Sequence, residues 1–181
     1  MRTDIIKTNG FVVSKNILLF IAIPVLTFIS AKIRVYLPFS PVPVTFQTFT
    51  VLTLAAVSSW YIAVAGQFVY IILGLAGVNI FASQATGQMS LLHPTFGYII
   101  GFLIASFVVS RSLEDRTYSL FKLVMTLILG NLIIYAFGAA RLSLLLGLPG
   151  ALLAGVLPFL YGDALKIILA TMLLSSIKRM A

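Results

Sequence analysis

Asp163 and Lys166 stand three positions apart in the stretch Leu157-Pro158-Phe159-Leu160-Tyr161-Gly162-Asp163-Ala164-Leu165-Lys166. The residues around them are apolar, and only 9% of the whole chain is charged. Helical residues at i and i+3 share a face, so this spacing presents a carboxylate and an ammonium together. Such a pair accepts hydrogen bonds through the acid and donates them through the base, which suits a polar or anionic ligand. Ionisable groups in a lipid-facing segment are costly, and by default they mark a functional site. A pair that only locks two helices together would use the same residues, and both readings stand at this point.

The elements that position the pair follow from composition. Hydrophobic residues make up 61% of the 181, and the mean hydropathy is +1.14. Soluble domains are about half apolar and about a quarter charged. The expectation is therefore an all-α integral membrane protein, a single transmembrane domain over residues 1–181. That length accommodates about six spans of about 20 residues. The apolar runs are continuous rather than alternating, which argues against a barrel.

The chain has no Cys and a single histidine, His93. Disulfides, thiol nucleophiles and imidazole-rich metal centres are thereby excluded, and no metal or cofactor is expected. The net charge of +8 comes from basic residues that flank apolar runs. The positive-inside rule accounts for them without a nucleic-acid partner. No G-x-x-x-x-G-K-[ST] phosphate loop occurs, so any ATP hydrolysis must come from another subunit. Asp163 lacks a second acid or a histidine nearby in sequence, which leaves an intramembrane enzyme without its machinery.

Residues 1–16 read as a cytoplasmic N-terminal segment and not as a cleavable signal, ahead of a retained first span at about 17–33 that Pro24 bends. Pro38, Pro41 and Pro43 then hold 34–45 extended and stiff, as an outer lid or as a plain connector. Spans at about 46–58 and 60–80 form a tight hairpin, and Gln67 within the latter needs a partner inside the bundle. Residues 79–94 make an outer loop rich in amide and hydroxyl groups, with Pro94 in the first turn of a fourth span at about 95–110. A charge cluster at 111–116 precedes a fifth span at about 120–140. Gly147, Pro149, Gly150 and Gly155 break 142–156 into a short or re-entrant helix, interrupted near Pro158. The last span starts at Tyr161 or Gly162 and ends before Lys178.

With six transmembrane helices in one compact bundle, Arg2, Lys7, Lys15, Arg111, Arg116, Lys122, Lys178 and Arg179 fall on one side. Lys32, Arg34 and Arg141 fall on the other. Both termini are therefore expected in the cytoplasm. The proline segment, the polar loop and the start of the last helix then converge at the outer face. Asp163 is expected in the first turn of its helix, where the macrodipole favours an anion, with Lys166 one turn deeper.

Several of these stretches resemble the BioY family, the biotin-specific S components of energy-coupling factor transporters. Leu37-Pro38-Phe39-Ser40-Pro41-Val42-Pro43-Val44-Thr45-Phe46-Gln47-Thr48 resembles the family's first loop. Gly77-Val78-Asn79-Ile80-Phe81-Ala82 is similar to its entry into the third loop, and Pro94-Thr95-Phe96-Gly97-Tyr98 to its fourth-helix start. The stretch from Gly155 to Lys166 resembles its sixth-helix motif. The resemblance implies a six-helix fold that binds biotin from outside and toppling in the membrane to release it. It also implies partnership with a transmembrane coupling protein and two cytoplasmic ATPases, in the plasma membrane of a prokaryote. Asp163, Lys166, Phe39, Gln47, Asn79, Phe81, Gly97 and Tyr98 are the implied biotin contacts. Ala22, Ser30 and Ala31 are the implied face toward the coupling protein. Whether Lys166 meets the valerate or the ureido oxygen is open. The third loop departs from the family's glycine-rich pattern at Ser83, Gln84 and Thr86, and Asn79, His93 and Phe96 also differ from it. An S component for a related vitamin or small carboxylate, a stand-alone facilitator and a membrane scaffold remain the alternatives.

Overall fold

The computed structural model of the chain describes residues 2–83, 85–115 and 117–180, with side chains from Ser14 to Arg179. The elements in order are α1 (Arg2–Lys32), β1 (Arg34–Val35), β2 (Val44–Thr45), α2 (Gln47–Val57), α3 (Trp60–Leu75), α4 (Met89–Leu92), α5 (Phe96–Ser112), α6 (Leu120–Gly155) and α7 (Leu157–Met180). Ser14–Lys32, Leu120–Gly155 and Leu157–Arg179 are long and apolar enough to cross a membrane. Gln47–Val57, Trp60–Leu75 and Phe96–Ser112 are shorter apolar helices.

Two helices form the centre. α2 touches α1, α5, α6 and α7, while α5 touches α2, α3 and α6. The outward faces of α1 and α7 carry exposed Ile21, Val25, Ile29, Leu165, Ile168 and Met172. An apolar exterior around a core of the same character is what a lipid solvent permits. Gly138 and Gly155 leave room for Tyr98: a Cβ at the first would lie 2.3 Å from its ring, and at the second 2.4 Å from its hydroxyl oxygen.

The proline segment is a hairpin, not merely an extended strap. Arg34 pairs with Thr45 and Val35 with Val44 in antiparallel register. Ser40 closes the turn through its N–H to Leu37 O (3.2 Å) and accepts the Val42 N–H at its own Oγ (3.1 Å). That hydroxyl also donates to Ala154 O at 2.7 Å, tying the hairpin to the end of α6.

The C-terminal third differs from the sequence reading in where it breaks. α6 starts as expected at Leu120, with the Ser119 hydroxyl accepting the Lys122 N–H (3.2 Å) as an N-cap. It continues past residue 140 to Gly147, whose φ 70°, ψ 166° is a conformation essentially reserved for glycine. A short helical piece follows, and Val156 (φ −125°, ψ −59°) separates it from α7. Pro158 does not interrupt the last helix. It sits within the first turn, where a missing N–H costs nothing. α7 therefore begins at Leu157, and Asp163 lies in its second turn rather than its first. The helix dipole is not what holds that carboxylate.

Smaller differences follow the same logic. Pro94 stands just before the α5 N-cap, Thr95, instead of inside the first turn. α1 is helical from Arg2, on both sides of Pro24, so the N-terminal segment is continuous with the first helix. Gln67 is fully buried, yet among the described residues neither its Nε2 nor its Oε1 has a hydrogen-bond partner.

Candidate functional site

Asp163 and Lys166 form a buried ion pair, Nζ to Oδ1 at 2.7 Å, with side chains 4% and 11% exposed. The i, i+3 spacing on α7 brings them together, and three other segments complete the arrangement. The Thr48 hydroxyl at the start of α2 donates to the same Oδ1 (2.9 Å). Tyr135 of α6 donates its hydroxyl to Oδ2 (2.6 Å). Lys166 donates to Thr45 O of β2 (2.6 Å) and to Thr48 Oγ1 (3.3 Å). Asn131, one turn before Tyr135, is buried next to the pair. Each carboxylate oxygen and all three ammonium protons are thus engaged. A buried pair is tolerable only when its remaining hydrogen-bonding capacity is met in this way.

The pair lies on the wall of a partly open cavity. Its polar groups come from Thr45, Gln47, Thr48, Thr95, Tyr135, Asp163 and Lys166. The rest is apolar or aromatic, with Val42 and Pro43 from the hairpin, Ile99 and Phe102 from α5, Ile134 from α6 and Phe159 from α7. Ligand sites commonly join an apolar lining to a few convergent polar groups. Gln47 is fixed by donating Nε2 to Tyr70 Oη (2.9 Å), which itself donates to Ile80 O (3.1 Å). The Tyr98 hydroxyl donates to Gly155 O (2.7 Å), leaving its ring against the cavity and near Phe159. The lining combines convergent hydrogen-bonding groups with apolar and aromatic faces.

Residues 2–181 match the BioY family. The chain belongs to the BioY family. Among its relatives, the probable biotin transporter BioY of Pyrococcus horikoshii is 35% identical over 141 residues, 78% of this chain and 82% of that one. The biotin transporter BioY of Thermotoga maritima is 30% identical over 145 residues, 80% and 85% of the respective chains. The crystal structure of the S-component for biotin from an ECF-type ABC transporter has the same fold. It superposes with a TM-score of 0.81 over 92% of both chains, at 21% identity.

Of the site residues expected for a BioY protein, Asp163, Lys166, Gln47 and Tyr98 meet at the cavity. Four others do not line it. Phe39 is 65% exposed at the hairpin tip. Asn79 is exposed and accepts from Lys32 through its backbone oxygen (2.9 Å). Phe81 is buried against Tyr70, 5.4 Å between ring centroids. Gly97 is a packing position, where a Cβ would lie 2.4 Å from Phe137 O of α6. Of the residues expected to face a coupling protein, Ser30 and Ala31 are buried inside this BioY chain and Ala22 is half-buried. In α1 the exposed surface is made instead by large aliphatic residues.

Sequence reasoning passed over Thr48 and Tyr135. A signal for the second was present, because Asn131 and Tyr135 are the polar-tipped residues one turn apart in the apolar run of α6. His93, the single histidine of the chain, is half-buried beside the site. Its Nδ1 accepts the Thr95 N–H (3.2 Å) and lies 2.8 Å from Thr95 Oγ1. Burial holds this imidazole below its ordinary range.

Proposed function

We propose that this chain is the biotin-capturing membrane subunit of an energy-coupling factor type uptake system. The observation that carries the reading is the fully hydrogen-bonded Asp163–Lys166 pair on the wall of an apolar cavity, in a BioY-family chain. Biotin offers two ureido N–H donors, one carbonyl acceptor, a bicyclic ring with apolar faces and an anionic valerate. Asp163 and the threonine hydroxyls suit the ureido group, and Tyr98, Phe102 and Phe159 suit the ring faces. Relatives that carry the name biotin transporter support the same ligand.

In this reading α1, α2, α3, α5, α6 and α7 cross the plasma membrane of a prokaryote, with both termini in the cytoplasm and the cavity opening outward. The hairpin is a lid over the cavity. The chain is a transport subunit and not an enzyme. A transmembrane coupling protein and two cytoplasmic ATPases supply the energy, and the subunit topples to deliver biotin inward. The test is uptake of radiolabelled biotin by cells lacking their own transporter. Accumulation is expected when the chain is expressed with a coupling protein and its ATPases, and to vanish with Lys166→Ala. Equal uptake by that variant and the unaltered chain would overturn the assignment.

A further inference from the structure

Three cations of this chain gather on one loop beside the cavity. Lys32 at the end of α1 donates to Asn79 O (2.9 Å) and Phe81 O (3.4 Å). Arg34 in β1 donates to Ala82 O, and Ala82 is itself part of the cavity wall. Arg141 of α6 donates to Leu91 O (2.9 Å) at the other end of the same loop. Lys32 and Arg34 also stand over the rings of Phe28 and Tyr36, at 5.1 and 5.2 Å from the centroids. Carbonyls and rings accept from a cation without cancelling its charge.

Among the described residues, no carboxylate other than Asp163 shares this end of the molecule. The chain has four acids, Asp4, Glu114, Asp115 and Asp163. Asp4 is at the opposite end of α1 from Lys32. Glu114 and Asp115 follow α5, a helix about 25 Å long whose first residues adjoin the cavity. Glu114 pairs there with Arg111. Asp163 is inside and engaged by Lys166, so the pair in the deep site is neutral overall. The loop beside the cavity therefore gathers three positive charges with no carboxylate partner among the described residues, next to a neutral pair. A concave site lined by one sign of charge focuses the field and raises the association rate of an oppositely charged ligand.

We infer that Lys32, Arg34 and Arg141 form an electropositive collar that attracts the carboxylate of the incoming ligand and sets its rate of entry. The inference rests on the proposed biotin-binding function and deepens it. The collar acts on the anion, while the neutral deep pair reads hydrogen bonds. Attraction of this kind is screened by salt over about 8 Å at physiological ionic strength, so it belongs to the association rate and hardly to dissociation.

The test compares association and dissociation of radiolabelled biotin with those of biotin amide, which keeps the ring system and lacks the charge. The protein is purified in an uncharged detergent and measured at low and high ionic strength. Biotin association is expected to slow with salt, while amide association stays constant. The triple variant Lys32→Gln, Arg34→Gln, Arg141→Gln is expected to bind biotin about tenfold more slowly and the amide at the unaltered rate. The charge-keeping variant Lys32→Arg, Arg34→Lys, Arg141→Lys is expected to retain the fast association. Association of biotin that ignores salt would overturn the inference alone. So would a triple variant slowed equally for both compounds, because the three residues would then act by anchoring the loop. Binding of neither compound to the unaltered protein would overturn the biotin assignment and the collar with it.

Discussion

At the scale of single residues, the structure explains how a carboxylate survives among apolar helices. Asp163 is held by a lysine on its own helix, a threonine on α2 and a tyrosine on α6. Tyr135→Phe removes the one donor to Oδ2. The variant is expected to lose about 1–3 kcal/mol of stability, read from denaturation in detergent, because a buried acceptor is left unpaired. Lys166→Ala is expected to cost about 3–5 kcal/mol by stranding the acid. Replacing both partners, as Asp163→Leu with Lys166→Met, is expected to recover most of that stability and still to abolish biotin binding. A double variant that binds biotin normally would make the pair structural only. His93 adds a pH dependence. Its folded-state proton affinity is lowered, so the unfolded chain takes up the proton first. Stability is therefore present above the ordinary imidazole range and declines as pH falls through it, a trend that His93→Gln should flatten in melting experiments.

At the scale of elements, the short second helix is the informative one. Its 11 residues cover about 16 Å, roughly half of a hydrocarbon core of about 30 Å. In the proposed arrangement the hairpin of residues 34–45 fills the remaining depth, and Thr45 and Thr48 bond the pair directly. The apolar run at 46–58 is itself short for a span, which agrees with that arrangement. What the sequence could not reveal was the pairing of Arg34 with Thr45, because two-residue strands carry no periodicity. Nor could it locate the break in α6. Pro158 looks like an interruption but sits harmlessly in a first turn, whereas Gly147, one of several glycines, adopts a conformation that only the backbone reveals. Gly147→Ala is accordingly expected to cost about 1–3 kcal/mol in thermal or denaturant unfolding, and an unchanged stability would mean the kink relaxes. The placement of Asn79 and Phe81 was illegible for a related reason. Loop residues next to a motif look alike in sequence, whether they face a cavity or Tyr70 behind it.

For the whole molecule, the sequence announces a membrane bundle because its apolar runs are long and its charges sit between them. The structure puts Lys32, Arg34 and Arg141 on the loop beside the cavity. Arg111 and Lys178 lie at the other end, paired with Glu114 and with the Tyr118 carbonyl. The proposed orientation makes the cavity end external. Because the chain contains no Cys, single reporters are clean. Phe39→Cys is expected to react with an impermeant thiol reagent from outside intact cells, and Glu114→Cys only after the membrane is opened. Labelling of both from the same side would contradict the orientation.

The central claim is that the cavity beside Asp163 and Lys166 receives biotin. Calorimetric titration of the purified, detergent-solubilised chain with biotin tests it most directly. The account predicts saturable binding of one biotin per chain at micromolar ligand or below, lost in the Asp163→Leu, Lys166→Met variant that still folds. Absence of saturable binding at micromolar biotin by the unaltered chain would contradict it.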